Sequence, residues 1–558
     1  MRNLHPNSKP TFMRFLLLAT ICLVTVNLSA QNAQKDRSKP KLVIGIVVDQ
    51  MRWDNVNRYS QFFKSKNGFL KLANEGASCN YTLIPYVHTV TACGHAAIYT
   101  GSVPAIHGIV GNSWFNNLTS KTEYCVEDKS VNSIGSNNQV SGKMSPKNLW
   151  TSTIGDELKL SNNFKSKVIG ISLKDRGAIL PAGHAANAAY WYDQETGNMI
   201  SSTYYQQNLP QWASNFNNLK KVDEYYRHGW DLSLPREVYE KNCDADVNDY
   251  ETGFYDEKVK INFPFDLTKL IGKDYKRLFS IPQGNNLVAD FAKEAIKNEK
   301  LGEDSITDIL TLSFSSPDYI GHNFGPYSWE SLDGYIKLDE VLADFFAYLD
   351  KQVGKDNYTL FLTADHAIAP IPGFAKKNKL PADYYVSADI SKDLNNLLAS
   401  NNLKKELISS VYESTIYFNH KLMDSLQITD AQLTQLVTKF LESKPNVLQV
   451  VNNRNAALAP LPQLIREMLL NGYTPQRSGD LTVLLKSGVI DGYPTGASHG
   501  VFYNYDSHIP LYFYGKGIKK GNVNSLNYMT DIAPTNTTLL GIHMPSGSIG
   551  KTMLEVLK

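Results

Sequence analysis

Four stretches of this chain run from a strand-like segment, continuously apolar or alternating apolar with small residues, into charged side chains for which an apolar strand has no use. "KLVIGIVVD" (41 to 49) ends on Asp49, and "SKVIGISLKDRG" (166 to 177) runs into Lys174, Asp175 and Arg176. "DILTLSFSSPD" (308 to 318) ends on Asp318, and "YTLFLTADH" (358 to 366) on Asp365 and His366. Short continuous Val/Ile/Leu runs mark strands covered on both faces, as in a parallel sheet. Between the third and fourth, Leu338, Val341, Leu342, Phe345, Tyr348 and Leu349 recur at helical spacing, so strand, helix and strand predict a parallel crossover. "IPLYFYG" (509 to 515) reads as a fifth strand, shortly after "GASHG" and His499. The expected fold is α/β, with a mostly parallel central sheet and helices on both faces. Ligands of such sheets bind beyond the carboxyl ends of the strands, which is where these charged residues stand.

Singly, an Asp after a strand is most often a turn former or helix cap. A lone histidine is most often a satisfied polar residue. Together, Asp49, Asp318, Asp365, His322, His366 and His499 place six oxygen and nitrogen donors at one apparent sheet edge. They divide into two sites of three, and without thiolate they suit zinc with an open coordination position. Asp318 and His322, four apart, share one face of a helical turn. The adjacent Asp365 and His366 can both reach a metal only where the chain turns, as it does where a strand stops. In "VHTVTACGHAAIYTGSVPAIHG" (87 to 108), Thr91 precedes small residues and an apolar run that read as a helix start. Its hydroxyl is expected where free backbone N–H groups favour an anion. It reads as an N-cap, or, coordinated to a metal, as a nucleophile.

The first thirty residues belong to a different category. Arg2, Lys9 and Arg14 precede "FLLLATICLVTVNLSA", too short to span a bilayer comfortably, and the pattern is that of a secretory signal cut after Ala30. Cys22 follows Ile21, where a lipid-attachment motif has a small residue. Three of the 56 basic residues and none of the 54 acidic ones lie in this leader, so the remainder is one charge short of neutral and nucleic acid is an unsuited partner. No later run is apolar for long enough to be a membrane span, and a periplasmic or secreted protein is expected. Cys79, Cys93, Cys125 and Cys243 permit disulfides in any of three connectivities. Without linkers or repeats, the chain reads as the leader 1–30 and one catalytic domain 31–558. Insertions near 190–300 and 370–480 are expected to cap its site.

In order along residues 44 to 500, "VVDQMR", "TVTACGHAAIYTGSVPAIHGIVGN", "SLKDRGAILPAGH", "SSPDYIGHNFGP", "TADHA" and "GASHG" resemble the alkaline phosphatase superfamily. Within it they resemble the phosphate-irrepressible, single-chain bacterial alkaline phosphatases. The resemblance implies two Zn2+ ions, one held by Asp49, Asp365, His366 and the nucleophile Thr91, the other by Asp318, His322 and His499. It implies that Asn112 donates to a phosphoryl oxygen and that Lys174 and Arg176 contact the same group. Thr91 stands where the general pattern has serine. No third carboxylate cluster is evident, and Lys174 resembles the charge that replaces the family's magnesium. The implied activity is hydrolysis of phosphate monoesters, with broad substrate tolerance, through a phosphothreonine.

A nucleotide pyrophosphatase or phosphodiesterase of the same superfamily would also use threonine and two zincs. Lys174 and Arg176 separate the two readings, because a dianionic phosphoryl group calls for more positive charge than a diester. If the chain stays extended past its strand, the two cations share one side with Asp175 opposite. A sulfatase nucleophile needs a C/S-x-P-x-R context, whereas Cys93 precedes Gly94 and His95. A non-catalytic glycan binder would use aromatics such as those dense in residues 188 to 213, which equally pack an insertion. It would have no use for six metal ligands.

Overall fold

The structure, a computed structural model, describes residues 39–253 and 262–558, and the leader with its expected cut after Ala30 lies outside them. The apolar runs are strands, β1 (Leu42–Val48), β2 (Ala77–Leu83), β3 (Val168–Ser172), β4 (Ala188–Asp193), β5 (Asp308–Phe314), β6 (Tyr358–Thr363) and β7 (His508–Gly515). Every residue of β1, β3, β5 and β6 is buried. The unbroken apolar run of β1, and the mixture of apolar with small residues in β5, follow from that, since neither face meets water.

β1 lies at the centre. It pairs in parallel with β5, from Leu42 opposite Asp308 to Val48 opposite Phe314, and with β6, from Leu42 opposite Tyr358 to Val47 opposite Thr363. β3 continues the parallel order beyond β5, and β4 beyond β3. In-register parallel pairing brings all these strands to an end at one edge. The helical pattern predicted between β5 and β6 is the long helix Trp329–Leu349. It carries the chain over β1 rather than between neighbouring strands.

The sheet, eleven-stranded among the described residues, is mixed on its other side. β7 runs antiparallel to both β6 and β2. An antiparallel strand starts where its parallel neighbours stop, so the segment just before β7, which holds His499, is delivered to the same edge.

Residues following β6 build a second, smaller sheet in the order Ile408–Tyr412, Thr415–Phe418, Leu481–Leu485, Val447–Asn452. Leu394, Leu433, Val437 and Leu481 form its separate core. The hairpin between its first two strands turns at Glu413 and Ser414, both with positive φ, 46° and 57°, the twist that a two-residue hairpin tip requires. This tip, Asn112, His322 and His499 line one cavity of about 540 Å³ at the edge of the main sheet.

Of the aromatics of residues 188 to 213, Tyr190, Trp191 and Tyr192 are buried, while Tyr204 is exposed. Tyr190 packs edge-on against Trp212 and Phe291, with ring centroids 5.6 and 5.1 Å apart, which is core packing rather than a sugar-stacking surface. Cys79, Cys93, Cys125 and Cys243 are all free.

Candidate active site

Asp49 is the residue directly after β1, and Asp365 and His366 follow β6 by one residue. Donor atoms of these three lie within 4.8 Å of one another. His366 Nε2 is 3.5 Å from Asp49 Oδ1 and 3.6 Å from Asp365 Oδ2. Thr91 opens the helix Thr91–Thr100, as its surroundings predicted, and its Oγ1 is 3.5 Å from His366 Nε2. That helix can approach because its fourth residue is Gly94. A Cβ there would stand 2.3 Å from the Asp365 carbonyl oxygen, far inside van der Waals contact.

Asp318 and His322 lie one turn apart on the helix Ser316–Phe324, with His322 Nε2 3.2 Å from Asp318 Oδ1. His499 Nε2 is 3.7 Å from the same oxygen. The His499 ring stacks on His366 at 3.6 Å between centroids. The tightest second grouping is therefore Asp318, His366 and His499. His366 belongs to both groups, and His322 joins through Asp318.

The donors fit metal ions by three observations. Each histidine donates its Nδ1–H to a backbone carbonyl: His322 to Ala497 at 2.8 Å, His366 to Ala367 at 3.0 Å, His499 to Thr89 at 2.7 Å. That fixes the tautomer and turns every Nε2 toward the carboxylates, the arrangement in which outer hydrogen bonds orient metal ligands. Asp49 Oδ1 and Asp365 Oδ2 are buried, the first with no hydrogen-bond partner and the second facing the His95 ring nitrogen at 3.3 Å, and a buried oxygen anion without a partner is costly unless a cation meets it. Burial, and then the charge of Asp365, push the Asp49 carboxyl well above its ordinary range. Burial also keeps His366 and His499 below theirs, leaving neutral imidazoles able to coordinate.

Lys174 and Arg176 depart from the extended geometry expected of them. A helix begins at Asp175 (Asp175–Ala182), and Lys174 is its capping residue. Lys174 turns inward, with Nζ 2.7 Å from both Asp49 Oδ2 and Asp318 Oδ2 and 3.3 Å from Thr91 Oγ1. Arg176 takes another direction and donates to the Tyr124 hydroxyl at 3.1 Å, which itself donates to Asp175 at 2.6 Å. Helical turning has separated two side chains that a strand would have aligned. Asn112 Oδ1 accepts from the backbone N–H of Ala92 at 3.0 Å, which sets the amide with its nitrogen facing away from the helix.

Two participants escaped the reading of the residues. Gln50, held at a φ of 69°, donates from Nε2 to Asp318 Oδ1 at 2.6 Å and from its backbone N–H to Asp365 Oδ1 at 3.1 Å. Nothing in the composition around it announces a positive φ. His95 donates to the Thr91 carbonyl at 2.9 Å, lies 3.3 Å from Asp365 Oδ2, and meets Ser313 Oγ at 2.9 Å. Its position four residues after Thr91 put it on the same helix face, and that signal was available.

Among known proteins, residues 43–500 match the family described as Type I phosphodiesterase / nucleotide pyrophosphatase. The chain is 44% identical over 553 residues to "Alkaline phosphatase PhoV" of Synechococcus elongatus, covering 97% of this chain and 99% of that one. It is 46% identical to a Myroides odoratus protein named "Calcium-transporting ATPase", covering 94% and 96%. The crystal structure of wild-type alkaline phosphatase PafA superposes with a TM-score of 0.91 at 41% identity, covering 93% of this chain and 99% of that one.

Proposed function

Because the chain belongs to the alkaline phosphatase superfamily and to its Type I phosphodiesterase / nucleotide pyrophosphatase family, we propose that it is a two-zinc alkaline phosphatase acting through phosphothreonine at Thr91. Hydrolysis of phosphate monoesters follows from the full-length likeness to alkaline phosphatases. The observation that carries the metal-dependent reading is the pair of donor groups sharing His366 around the Thr91 hydroxyl, with Asp49 Oδ1 buried and unpartnered. Asp49, Asp365, His366 and Thr91 would hold one Zn2+, and Asp318, His322 and His499 the other.

Bound zinc would supply Lewis-acid charge to the attacking and leaving oxygens. The chain's own groups do the rest. Thr91 Oγ1 attacks phosphorus, and the P–O bond to the leaving alcohol breaks. Water then attacks the phosphothreonine, the Thr91 oxygen leaves, and inorganic phosphate forms. Lys174 stays charged, since Asp318 and Asp49 outweigh the burial that would discharge it. Its ammonium near Oγ1 stabilises the alkoxide and stands in for a magnesium ion. Asn112 and Arg176 hold non-bridging phosphoryl oxygens, the guanidinium bidentately. Few contacts to the organic group are needed, which favours a broad substrate range.

The leader places the enzyme in the periplasm or outside the cell, as one catalytic domain over 31–558 whose insertions border the site. We follow the phosphatases rather than the relative named for calcium transport, because the donor groups are those of a hydrolytic site. Among the described residues no helix is long and apolar enough to cross a membrane. Chelation followed by metal add-back tests the reading. Two zinc ions per chain and recovery of monoester hydrolysis on adding zinc are expected. Full activity with less than one divalent metal per chain would refute it.

A further inference from the structure

The second donor group opens to solvent at one member. The His322 side chain keeps 34% of its surface exposed, against 9% for His499 and 5% for Asp318. His322 stands where two cavities adjoin. One is the cavity of about 540 Å³ that holds Asn112 and the Glu413 tip. The other, of about 640 Å³, shares His322, Gly492, Tyr493 and Ser498 with it. Their charges are opposite. Among the described residues, the first is lined by Glu413 and Asp491 and by no lysine or arginine, the second by Lys276 and Arg277 and by no carboxylate. A cleft lined by one sign of charge gathers ions of the other, so an anionic group arriving beside His322 is favoured in the second cavity.

The two cations are held in place. They open the short helical turn Lys276–Ser280. The Tyr226 hydroxyl donates to the Asp274 carbonyl at 3.0 Å, and the Tyr192 hydroxyl to the Tyr275 carbonyl at 2.9 Å. Phe279, inside the turn, packs edge-on against Tyr192 with ring centroids 5.6 Å apart, and against Tyr319 at 4.8 Å. Tyr319 follows Asp318, and its ring centroid lies 5.2 Å from Lys174 Nζ. The aromatic insertion thus fixes the turn against the helix that carries Asp318 and His322. Asp274 sets the local geometry. Its Oδ1 accepts from the Lys276 N–H at 3.0 Å, and its Oδ2 lies 3.6 Å from Arg277 Nη2. The Lys276 side chain is exposed at the cavity rim.

We propose, resting on the monoesterase reading above, that this basic cavity is a subsite for a second phosphate group carried by the alcohol portion of the substrate. The favoured monoesters are then bisphosphates of small polyols or sugars. In-line attack by Thr91 puts the leaving oxygen opposite Oγ1, so the alcohol departs beside the second donor group, whose open member is His322. A phosphate on that alcohol meets Lys276 as a point charge and Arg277 as a planar fork. This contact is remote from the reacting bond and is made equally by bound substrate and transition state, so it lowers KM rather than raising kcat. An uncharged alcohol leaves the cavity to water, and tolerance of such substrates is retained.

The test gives the zinc-loaded enzyme butane-1,4-diol bisphosphate and butyl phosphate at about 0.15 M salt, which screens general attraction. KM for the bisphosphate is expected to be lower by about tenfold, beyond the statistical advantage of two scissile ends. Lys276→Ala should cut that preference by about threefold, and Lys276→Glu should abolish it. Lys276→Arg should keep it. Lys276 is exposed, so these variants fold. No preference for the bisphosphate in the parent, or an unchanged preference in Lys276→Glu, would overturn the subsite while monoester hydrolysis stands. Hydrolysis of neither substrate would overturn the monoesterase reading and the subsite with it.

Discussion

Lys174 Nζ lies 2.7 Å from Asp318 Oδ2, joining the residue that caps one helix to a carboxylate on another. Burial alone would raise the Asp318 carboxyl, but Lys174, with His322 and His499, holds it well below the ordinary range. The same ammonium meets Asp49 at 2.7 Å. Lys174 is thus built into the carboxylate framework and contacts the Thr91 hydroxyl, whereas Arg176 stands off it on Tyr124.

That division gives different expectations for the two cations. Lys174→Ala should lower kcat/KM on monoesters and diesters alike, because both depend on Thr91. Arg176→Ala should cost monoesters about 1.5 to 3 kcal/mol, one to two decades in rate, and diesters much less. Rates on a monoester and a diester sharing one leaving group measure this. Equal losses for Arg176→Ala would mean that it does not read the phosphoryl charge.

Much of this framework was legible in the chain. Strands buried on both faces write themselves as unbroken apolar runs, and the carboxylates ending β1 and β6 stand out because nothing apolar explains them. The i, i+4 pair Asp318 and His322 needed only helix geometry. The direction of Lys174 was not legible, since it depends on where the helix after β3 begins, and element ends are set by local competition. Nor was the antiparallel course of β7, because apolar composition does not encode strand direction. Gln50 and the Glu413 turn rest on positive φ, which only glycine would have announced.

Thr91 is expected to be the phosphorylated residue. Thr91→Ser should keep substantial activity and Thr91→Ala should lose orders of magnitude in kcat. The hydroxyl of Thr89 is committed to the Val501 carbonyl at 3.1 Å, so Thr89→Ala should act through stability alone. Phosphopeptide mass spectrometry of enzyme quenched during turnover locates the ester. Phosphate on Thr89 would contradict the assignment.

Glu413 lines the cavity with Asn112, and burial pushes its carboxyl from 4.5 up to about 7. In the fold it is protonated where the unfolded chain is ionised. Its favourable contribution is therefore complete below pH 4.5 and declines as pH rises toward 7. Denaturation of Glu413→Gln across that window should show a flatter dependence than the parent. Above pH 7 the charged carboxylate repels a dianionic substrate, so Glu413→Gln should lower KM for monoesters. An unchanged KM at pH 8 would show that Glu413 does not face the substrate.

Gly94→Ala should be costly out of proportion to one methyl group. The added carbon would sit 2.3 Å from the Asp365 carbonyl, and overpacking of this kind costs about 1 to 3 kcal/mol. Relief requires moving Asp365 away from Asp49 and His366. The Tm and bound zinc should fall together. A variant with lowered Tm and full zinc occupancy would show that the close approach serves packing alone.

This chain is a phosphate monoesterase built on a scaffold shared with phosphodiesterases, and its preference between the two ester types is the decisive measurement. On the zinc-loaded enzyme, kcat/KM is measured for a phosphate monoester and for a diester carrying the same leaving group. Preference for the monoester by several decades, narrowed by about one to two decades in Arg176→Ala mainly through the monoester rate, is the predicted result. A parent enzyme that hydrolyses the diester as fast as or faster than the monoester would contradict the account.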